Sequence, residues 1–443
     1  MKSIRITALS LLLLITGIQA DETIATVTLD SWGIARNRKV AFLDYHYATS
    51  TLFWGQVSVV DLATKASTIA APATGTYPYF ISFGFTGSHV AYIPQTGSGS
   101  GGGGGGGGCS GGRTAYLYDK NLVDGSVRQL TTSIAWKELV WAGGDYAVWV
   151  DYRHMDTATL DSINSEIYCA RFSSLAETRL TTDHAFQHKP ATDGRRVVWI
   201  DYTLPYGRLF MRDLETGSTT EIAPFAAGKD DPRVEGSLIT WTDYRNPSSA
   251  RDAQIYLYQT TSNSVTPICA HGGFQGRSYV SPSWIVWEDY RNATPTDTGN
   301  CDIYGYSIAA GEEIPLIVAP GYQGHPTLTN DTLFWIDGAV SPLTLKTKPL
   351  QSVTVQNQSR HSHSRSKIAP TRGDIRFTGL TPHTVYRVRR VMTNGRTVGT
   401  TSIIADANGA ARLQSNNPPI PGCSTFMVDS PTGRAVLTKR VIQ

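Results

Sequence analysis

The stretch Trp287-Glu288-Asp289-Tyr290-Arg291 is one of three full copies of a five-residue phrase, Trp-x-Asp-Tyr-Arg. The other two copies are Trp149–Arg153 and Trp241–Arg245. Reduced copies lie at Phe42–Tyr45, Trp199–Tyr202 and Trp335–Asp337. Recurrence along the chain indicates a protein assembled from structural repeats.

The aspartates of the phrase set the period of the repeat. From Asp151 to Asp337 the successive steps are 50, 42, 46 and 48 residues, a range typical of propeller blades. A degenerate copy at His89–Gln95 fills the gap between Asp44 and Asp151. Seven copies predict an all-β fold with a seven-bladed β-propeller, and the eroded end copies leave six and eight blades as alternatives.

Each unit contains three segments typical of short strands, separated by turns. In the unit around Asp201 they are Arg196–Ile200, Arg208–Phe210 and Thr219–Ile222. We find no long stretch with a helical period. A small antiparallel sheet cannot bury both faces alone, so we expect the copies to pack face to face around an axis.

The phrase itself has a structural interpretation within a blade. Side chains alternate along a strand, so tryptophan and aspartate point to one face and the indole can fill the space between blades. The aspartate and arginine at the strand end can hold the adjoining loop by a charge-assisted hydrogen bond. Catalytic residues are needed only once, so recurrence favours a structural role for Trp149, Asp151, Arg153, Trp199, Asp201, Trp241, Asp243, Arg245, Trp287, Asp289, Arg291, Trp335 and Asp337.

The repeat resembles a known family. Val197–Asp201, and Ile285–Asn292 followed by Asp302–Tyr306, are similar to the TolB-like propeller repeat, in which an apolar strand, an Asp-Arg turn and an Asp-Ile-Tyr strand recur. The resemblance covers roughly Val40 to Leu350 and implies a propeller over residues 21–354. It leaves the function open, since similar propellers serve as protein-docking modules, peptidase gates and lyase scaffolds.

A second domain is predicted at the C-terminal end. After a polar, basic linker at residues 355–370, strands and two Asn-Gly turns return over residues 371–443, which predicts a small antiparallel β-sandwich. This region resembles the C-terminal sorting domain of the bacterial type IX secretion system, with a fibronectin-like adhesion domain as the alternative. The stretches that carry the resemblance are Val385–Val388, Thr393–Val398, Asp406–Ala411, Phe426–Val428 and Lys439–Val441.

The first residues have the order of a secretory signal peptide. Lys2 and Arg5 precede the apolar run Ala8–Ile18, and cleavage is predicted after Ala20, so residues 1–20 form the signal peptide. The protein is therefore expected to be secreted, extracellular or on the outer cell surface, with the periplasm as the alternative. The apolar run is shorter than the ~20 residues of a spanning helix, and an integral membrane protein is not expected.

The net charge of the chain does not indicate a class of binding partner. Lys and Arg number 39 against 36 Asp and Glu, a balance too small to indicate nucleic acid or an anionic membrane surface.

Two other features interrupt the repeat pattern. A glycine-rich tract at Gly97–Gly112 predicts a flexible insertion within the second blade. The five cysteines are an odd number for an exported protein, so at least one thiol is unpaired, shared with another chain or buried. Cys269 and Cys301 lie on neighbouring repeats, and a disulfide between them is the pair to test first.

Candidate ligand-binding residues precede the first predicted strand of several blades. We expect these residues to lie in loops that cluster at one mouth of the central channel, where a mixed ring of charges could bind an anionic or polar ligand. Solvated loop residues without a ligand are the alternative interpretation. The candidates are His188, Lys189, Lys229, Asp231, Arg277 and His325.

A metal site is the alternative hypothesis. Gln358-x-x-His361-x-His363 places two imidazoles on one face of an extended segment, and a TolB-like propeller that cleaves oligogalacturonate uses histidines and a glutamine around a divalent metal such as Mn or Ca. Arg360 and Arg365 would repel a cation there. No cofactor and no metal are therefore favoured.

The sequence favours a non-catalytic propeller that binds protein or glycan and is exported or attached through its C-terminal domain. Every recurrent residue has a structural explanation, and we find no strong single-copy catalytic set. The alternative is a metal-assisted polysaccharide lyase or hydrolase on the same scaffold.

Overall fold

The computed structural model describes most of the repeat region and six strands beyond it. The described ranges are 21–27, 33–49, 52–71, 82–94, 114–155, 164–204, 206–245, 252–269, 272–294, 297, 299–339, 342–350, 374–377, 385–392, 397–404, 411–414, 423–429 and 435–440. The predicted signal peptide, the glycine-rich insertion, the linker and Cys109 lie outside these ranges.

Seven four-stranded antiparallel units make up the repeat region, which confirms the predicted seven-bladed β-propeller. Strands are numbered in chain order, and blades follow the order of their innermost strands. The first blade contains β2 (Gly33–Arg36), β3 (Lys39–Thr49), β4 (Leu52–Asp61) and β5 (Ser67–Ala71). The second contains β6 (Phe83–Phe85), β7 (His89–Tyr92), β9 (Tyr118–Asn121) and β10 (Val127–Gln129). The third contains β11 (Ala135–Gly143), β12 (Tyr146–Asp151), β13 (Glu166–Arg171) and β14 (Glu177–Arg179), and β8 (Thr114–Ala115) pairs beside β11.

The next three blades have the simplest order. The fourth contains β15 (Gln187–Thr192), β16 (Arg196–Asp201), β17 (Arg208–Asp213) and β18 (Thr219–Ile222). The fifth contains β19 (Lys229–Glu235), β20 (Leu238–Asp243), β21 (Gln254–Gln259) and β22 (Ser264–Pro267). The sixth contains β23 (Gln275–Val280), β24 (Trp284–Asp289), β25 (Asp302–Ser307) and β26 (Glu312–Ile317). Each blade therefore has one strand more than the sequence predicted, because the innermost strand occupies a segment predicted to be a loop.

The seventh blade combines both ends of the propeller. It contains β27 (Gln323–Thr329), β28 (Thr332–Asp337) and β29 (Leu343–Pro349), and its outermost strand is β1 (Glu22–Val27). β1 pairs antiparallel with β29, and β27 contacts β2 of the first blade. The ring is therefore closed by pairing between the first and last strands of the repeat region.

An aromatic side chain of the phrase fills the interface between neighbouring blades. Trp149 packs with Leu117 and Leu130 of the second blade, and Trp241 packs with Ile200 and Leu209 of the fourth. The same relation holds for four more interfaces, through Phe42, Trp199, Trp287 and Trp335. These large buried rings make the interfaces between blades the main core of the molecule.

The three full copies of the phrase form one hydrogen-bonded unit each. In the blade of β20 the Trp241 indole N–H donates to Asp243 Oδ2 at 2.7 Å. The Arg245 guanidinium donates to both oxygens of the same carboxylate, at 2.8 and 2.6 Å, and lies 3.9 Å over the Tyr256 ring. The equivalent bonds join Trp149, Asp151 and Arg153, and Trp287, Asp289 and Arg291.

The reduced copies lack this unit. In the fourth blade Thr203 stands where the arginine would be, and its hydroxyl donates to Asp201 Oδ1 at 2.5 Å. In the seventh blade Asp337 accepts from Lys346 at 2.6 Å, and the buried Trp335 indole N–H has no acceptor within the described ranges.

The predicted strands of the C-terminal region are present. β30 (Asp374–Phe377) pairs with β33 (Ala411–Gln414). A second sheet has the order β32 (Thr397–Ile404), β31 (Val385–Met392), β34 (Cys423–Asp429) and β35 (Ala435–Arg440). Packing of the two sheets as a sandwich stays a prediction.

The expected Cys269–Cys301 disulfide is wrong. Both residues are free, buried thiols, as is Cys169. The Cys269 sulfur accepts from the Ile255 backbone N–H at 3.2 Å and lies 3.7 Å from Gln275 Oε1. Cys301 lies against Tyr290 instead, so each thiol has its own neighbours. Burial raises the pKa of both thiols far above the usual value.

No helix with the length and hydropathy of a membrane span occurs among the residues that the structure describes.

Candidate functional site

The innermost strands enclose a cavity on the propeller axis, which we call the central funnel. Its volume is about 260 Å³. Charged side chains line one arc and smaller or apolar side chains the other. The lining residues are Gly33, Ile34, Ser82, Leu139, Val140, Trp141, Lys189, Pro190, Asp231, Arg233, Arg277, Ser278, Tyr279, His325 and Pro326.

A β-bulge recurs at one level of the funnel in five successive blades. In β11, β15, β19, β23 and β27 the register with the neighbouring strand shifts at the same point. One non-glycine residue at each bulge has a positive φ between 44° and 53°: Leu139, Lys189, Asp231, Arg277 and His325. Such backbone costs on the order of 1–3 kcal/mol per residue and is typical of positions under functional constraint.

The structure brings four of the six predicted ligand-binding residues together. Lys189, Asp231, Arg277 and His325 occupy the bulge positions of four adjacent blades and line the funnel. The expectation that they lie in loops was wrong, because each belongs to the innermost strand of its blade.

Lys229 has a different environment from the one predicted. It is buried and does not line the funnel, and its ammonium group donates to the carbonyl oxygens of Phe225 at 2.8 Å and Ala227 at 3.2 Å. Burial lowers the pKa of this lysine, and Asp243 partly offsets that effect. Lys229 therefore holds the loop before its blade.

His188 lies just outside the ring of bulges. Its Nε2 is 3.0 Å from Glu138 Oε1, and the Tyr152 hydroxyl donates to the same oxygen at 2.5 Å. The ring of His188 stacks on Phe186. His188 is thus tied to neighbouring groups of the mouth, one residue away from Lys189.

Ion pairs link the charged arc. The Lys189 ammonium is 2.5 Å from Asp230 and 3.5 Å from Asp231. Burial alone would raise the pKa of Asp231, but Arg233, Lys189 and Arg277 outweigh burial and lower the pKa. The wall of the funnel therefore carries a charged carboxylate among three cations.

Aromatic residues stand at or just before the start of four innermost strands and mark the end of the funnel that we call its rim; none of them was among the predicted site residues. Trp136, Phe186, Phe274 and Tyr322 each stand three residues before a bulge residue. The carbonyl oxygen of each accepts a backbone hydrogen bond from the residue after the repeat aspartate, at 2.7 to 3.0 Å. In three blades the residue that donates this bond is a tyrosine, and its ring lies next to the aromatic ring of the rim residue. For Trp136 and Tyr152 the ring centroids are 4.0 Å apart. The constant spacing of three residues between the aromatic residue and the bulge residue is the sequence signal that could have revealed the rim.

Large side chains close the floor of the funnel. The Arg233 guanidinium lies 4.6 Å over the Trp141 ring, and Trp141 is 6.2 Å from Tyr279. Arg36 lies 5.2 Å over the Tyr279 ring and 3.7 Å from Glu235. A ligand would therefore enter from the aromatic rim.

The metal hypothesis has no support within the described residues. None of their histidine, cysteine, aspartate or glutamate side chains form a group of three or more that could hold a metal ion. Gln358, His361 and His363 lie outside the described residues.

His325 makes the stability of the protein pH-dependent. Burial lowers the pKa of this imidazole; Glu288 opposes the shift and Arg277 adds to it. His325 therefore binds its proton more readily in the unfolded chain, and its contribution to folding stability is expected to decrease as the pH falls from about 6.5 towards the folded pKa. In urea titrations from pH 7 to pH 5 we expect His325→Gln to lose less stability than the wild type.

A histidine outside the funnel provides the control. His184 is exposed in the loop before β15, and His184→Gln should keep the wild-type slope. Equal slopes for the wild type and His325→Gln would contradict the role of His325.

No family model matches the chain, and no curated protein matches its sequence. Among solved structures, it is similar to the β-propeller domain of the Trilobed protease from Pyrococcus furiosus, with 9% identity, a TM-score of 0.52, and coverage of 75% of this chain and 97% of that one. An oligogalacturonate lyase in complex with manganese has 11% identity, a TM-score of 0.49 and coverage of 72% and 99%. A putative TolB from Agrobacterium tumefaciens has 15% identity, a TM-score of 0.37 and coverage of 56% and 83%. At these identities the likeness shows the propeller fold alone.

Proposed function

We propose that this protein is an exported, non-catalytic β-propeller that binds a protein partner through the rim of its central funnel. The observation that carries the proposal is the ring of bulges. Five blades keep the same strained backbone, yet the residue at that position differs in every one. A scaffold that repeats while its inward side chains vary is suited to recognition.

The surroundings of the ring fit a protein partner. Aromatic and arginine side chains are enriched where protein interfaces are tightest, and both types occur at the rim and wall. The floor is closed by packed side chains, so the partner would insert a short segment from one side. Export agrees with the signal peptide predicted at residues 1–20, and attachment through residues 371–443 is part of the same proposal.

A larger uncharged side chain at Leu139 would block the funnel without changing its charge. Leu139 lines the funnel at a bulge, is 38% exposed and has a φ of 50°. Leu139→Trp should fill space that the partner needs and reduce partner capture from an extract of the native cells by about tenfold or more. Capture would be quantified by crosslinking and mass spectrometry.

The chain offers a matched control for this variant. Leu175 is also 38% exposed and has a φ of 57°, but it lies in the β13–β14 hairpin away from the funnel. Leu175→Trp should capture as the wild type does. Equal capture by wild type and Leu139→Trp would sink the proposal, as would depolymerisation of a polysaccharide by the purified protein.

A further inference from the structure

We propose that Arg233 and Arg277 form a carboxylate-binding site inside the funnel, which takes an acidic side chain or chain terminus of the inserted segment. The inference rests on the proposed function for its biological occupant. It extends that function by naming the chemical group recognised and the two residues that recognise it.

Arg277 has donor capacity to spare. Its side chain is 51% exposed, and its contacts with the Glu288 carboxylate are long, at 3.4 and 3.5 Å from one guanidinium nitrogen. A guanidinium has five N–H donors, and charge-assisted bonds are normally 2.7–2.9 Å. Within the described part of the chain, Arg277 therefore faces the cavity without a close acceptor.

Arg233 is under-satisfied as well. One of its terminal nitrogens donates to the Pro232 carbonyl oxygen at 2.8 Å, but its Nε is buried with no hydrogen-bond partner among the described residues. The guanidinium carbon lies 4.6 Å from the centroid of the Trp141 ring. A buried donor without an acceptor is costly, and an anionic group in the funnel would satisfy it.

The charge balance favours a carboxylate over a phosphate. Among the residues that line the funnel, Lys189, Arg233 and Arg277 face one carboxylate, that of Asp231, and Lys189 is also paired with Asp230 at 2.5 Å. Glu288 lies behind Arg277 and accepts from the His325 backbone N–H at 2.8 Å. Asp230, Asp231 and Glu288 together equal the three cations in charge. A singly charged guest is therefore repelled less by these three carboxylates than a dianionic phosphate would be.

The site can be tested without knowing the partner. N-acetylaspartate amide and N-acetylasparagine amide have nearly the same shape and differ in charge, and N-acetylphosphoserine amide tests the phosphate. We expect calorimetric titration at constant ionic strength to show about tenfold tighter binding of the aspartate probe than of the asparagine probe.

Arg277→Gln should remove that preference, because the variant cannot form a charge-assisted pair. Arg171→Gln is the control: Arg171 is also 51% exposed and lies over an aromatic ring, that of Tyr146, outside the funnel. The control should keep the preference.

Each other outcome overturns the carboxylate site. These outcomes are equal binding of the two amides, no binding of either up to tens of millimolar, tighter binding of the phosphoserine probe, or loss of the preference in both variants. The partner experiment is independent: the aspartate probe can bind while Leu139→Trp leaves partner capture unchanged, in which case only the proposed function fails.

Discussion

Replacing Asp243 with alanine is expected to lower the free energy of unfolding by about 3 kcal/mol or more. The Asp243 carboxylate is fully buried and accepts from the Trp241 indole and from two nitrogens of Arg245. Its removal leaves a half-buried guanidinium and a buried indole N–H without their acceptor. Urea denaturation followed by far-UV circular dichroism measures the loss.

A double variant separates the orphaned charge from lost packing. Asp243→Ala with Arg245→Met removes both partners, and it should be more stable than Asp243→Ala alone. Asp124→Ala, at an exposed hairpin, should have a much smaller effect. A double variant that is less stable than Asp243→Ala alone would show that the unpaired Arg245 charge is not the cause of the lost stability.

Deleting residues 21–27 is expected to cost roughly 3–6 kcal/mol, because β1 pairs five of its residues with β29 and buries Val27. β1 is the outermost strand of the last blade, and Val27 packs against Phe42, Phe334 and Leu345. Without it, the β29 edge and the interface between the first and last blades are exposed. Chemical denaturation of the protein produced without residues 1–20 provides the reference.

The exposed end of the same strand supplies the control. Glu22→Ala with Thr23→Ala keeps the backbone pairing and loses only a surface ion pair to Lys65, which is worth little. It should unfold close to the wild-type midpoint. A truncated protein with the wild-type midpoint would show that closure of the ring does not depend on β1.

The outer parts of each blade could be predicted because their residues carry a regular pattern. Strands such as β16 and β20 have an apolar run that ends in the repeat aspartate, and the predicted bounds of β16 differ from the observed ones by one residue. The innermost strands have no such pattern. β19 reads Lys-Asp-Asp-Pro-Arg-Val-Glu, since it faces the funnel and its bulge breaks the alternation of period two.

The candidate site was located to the correct segments, and four of its six predicted side chains line the funnel. Lys189 and Lys229 looked equivalent in the sequence. Lys189 stands at a bulge and lines the funnel, whereas Lys229 lies two positions before the bulge residue of its strand and donates to carbonyl oxygens of the preceding loop. Which way each lysine points depends on the strand register, and the sequence alone did not reveal the bulge that sets it.

The sequence by itself determined the repeat, its period and the aromatic residues between the blades, because these features depend on local periodicity and recur several times along the chain. Only the tertiary structure decided which residues meet on the axis and that the first strand completes the last blade. Both depend on contacts between residues far apart in the chain: Leu139 and His325 share one cavity, and β1 pairs with β29. Such contacts arise when the ring closes, and no local pattern encodes them.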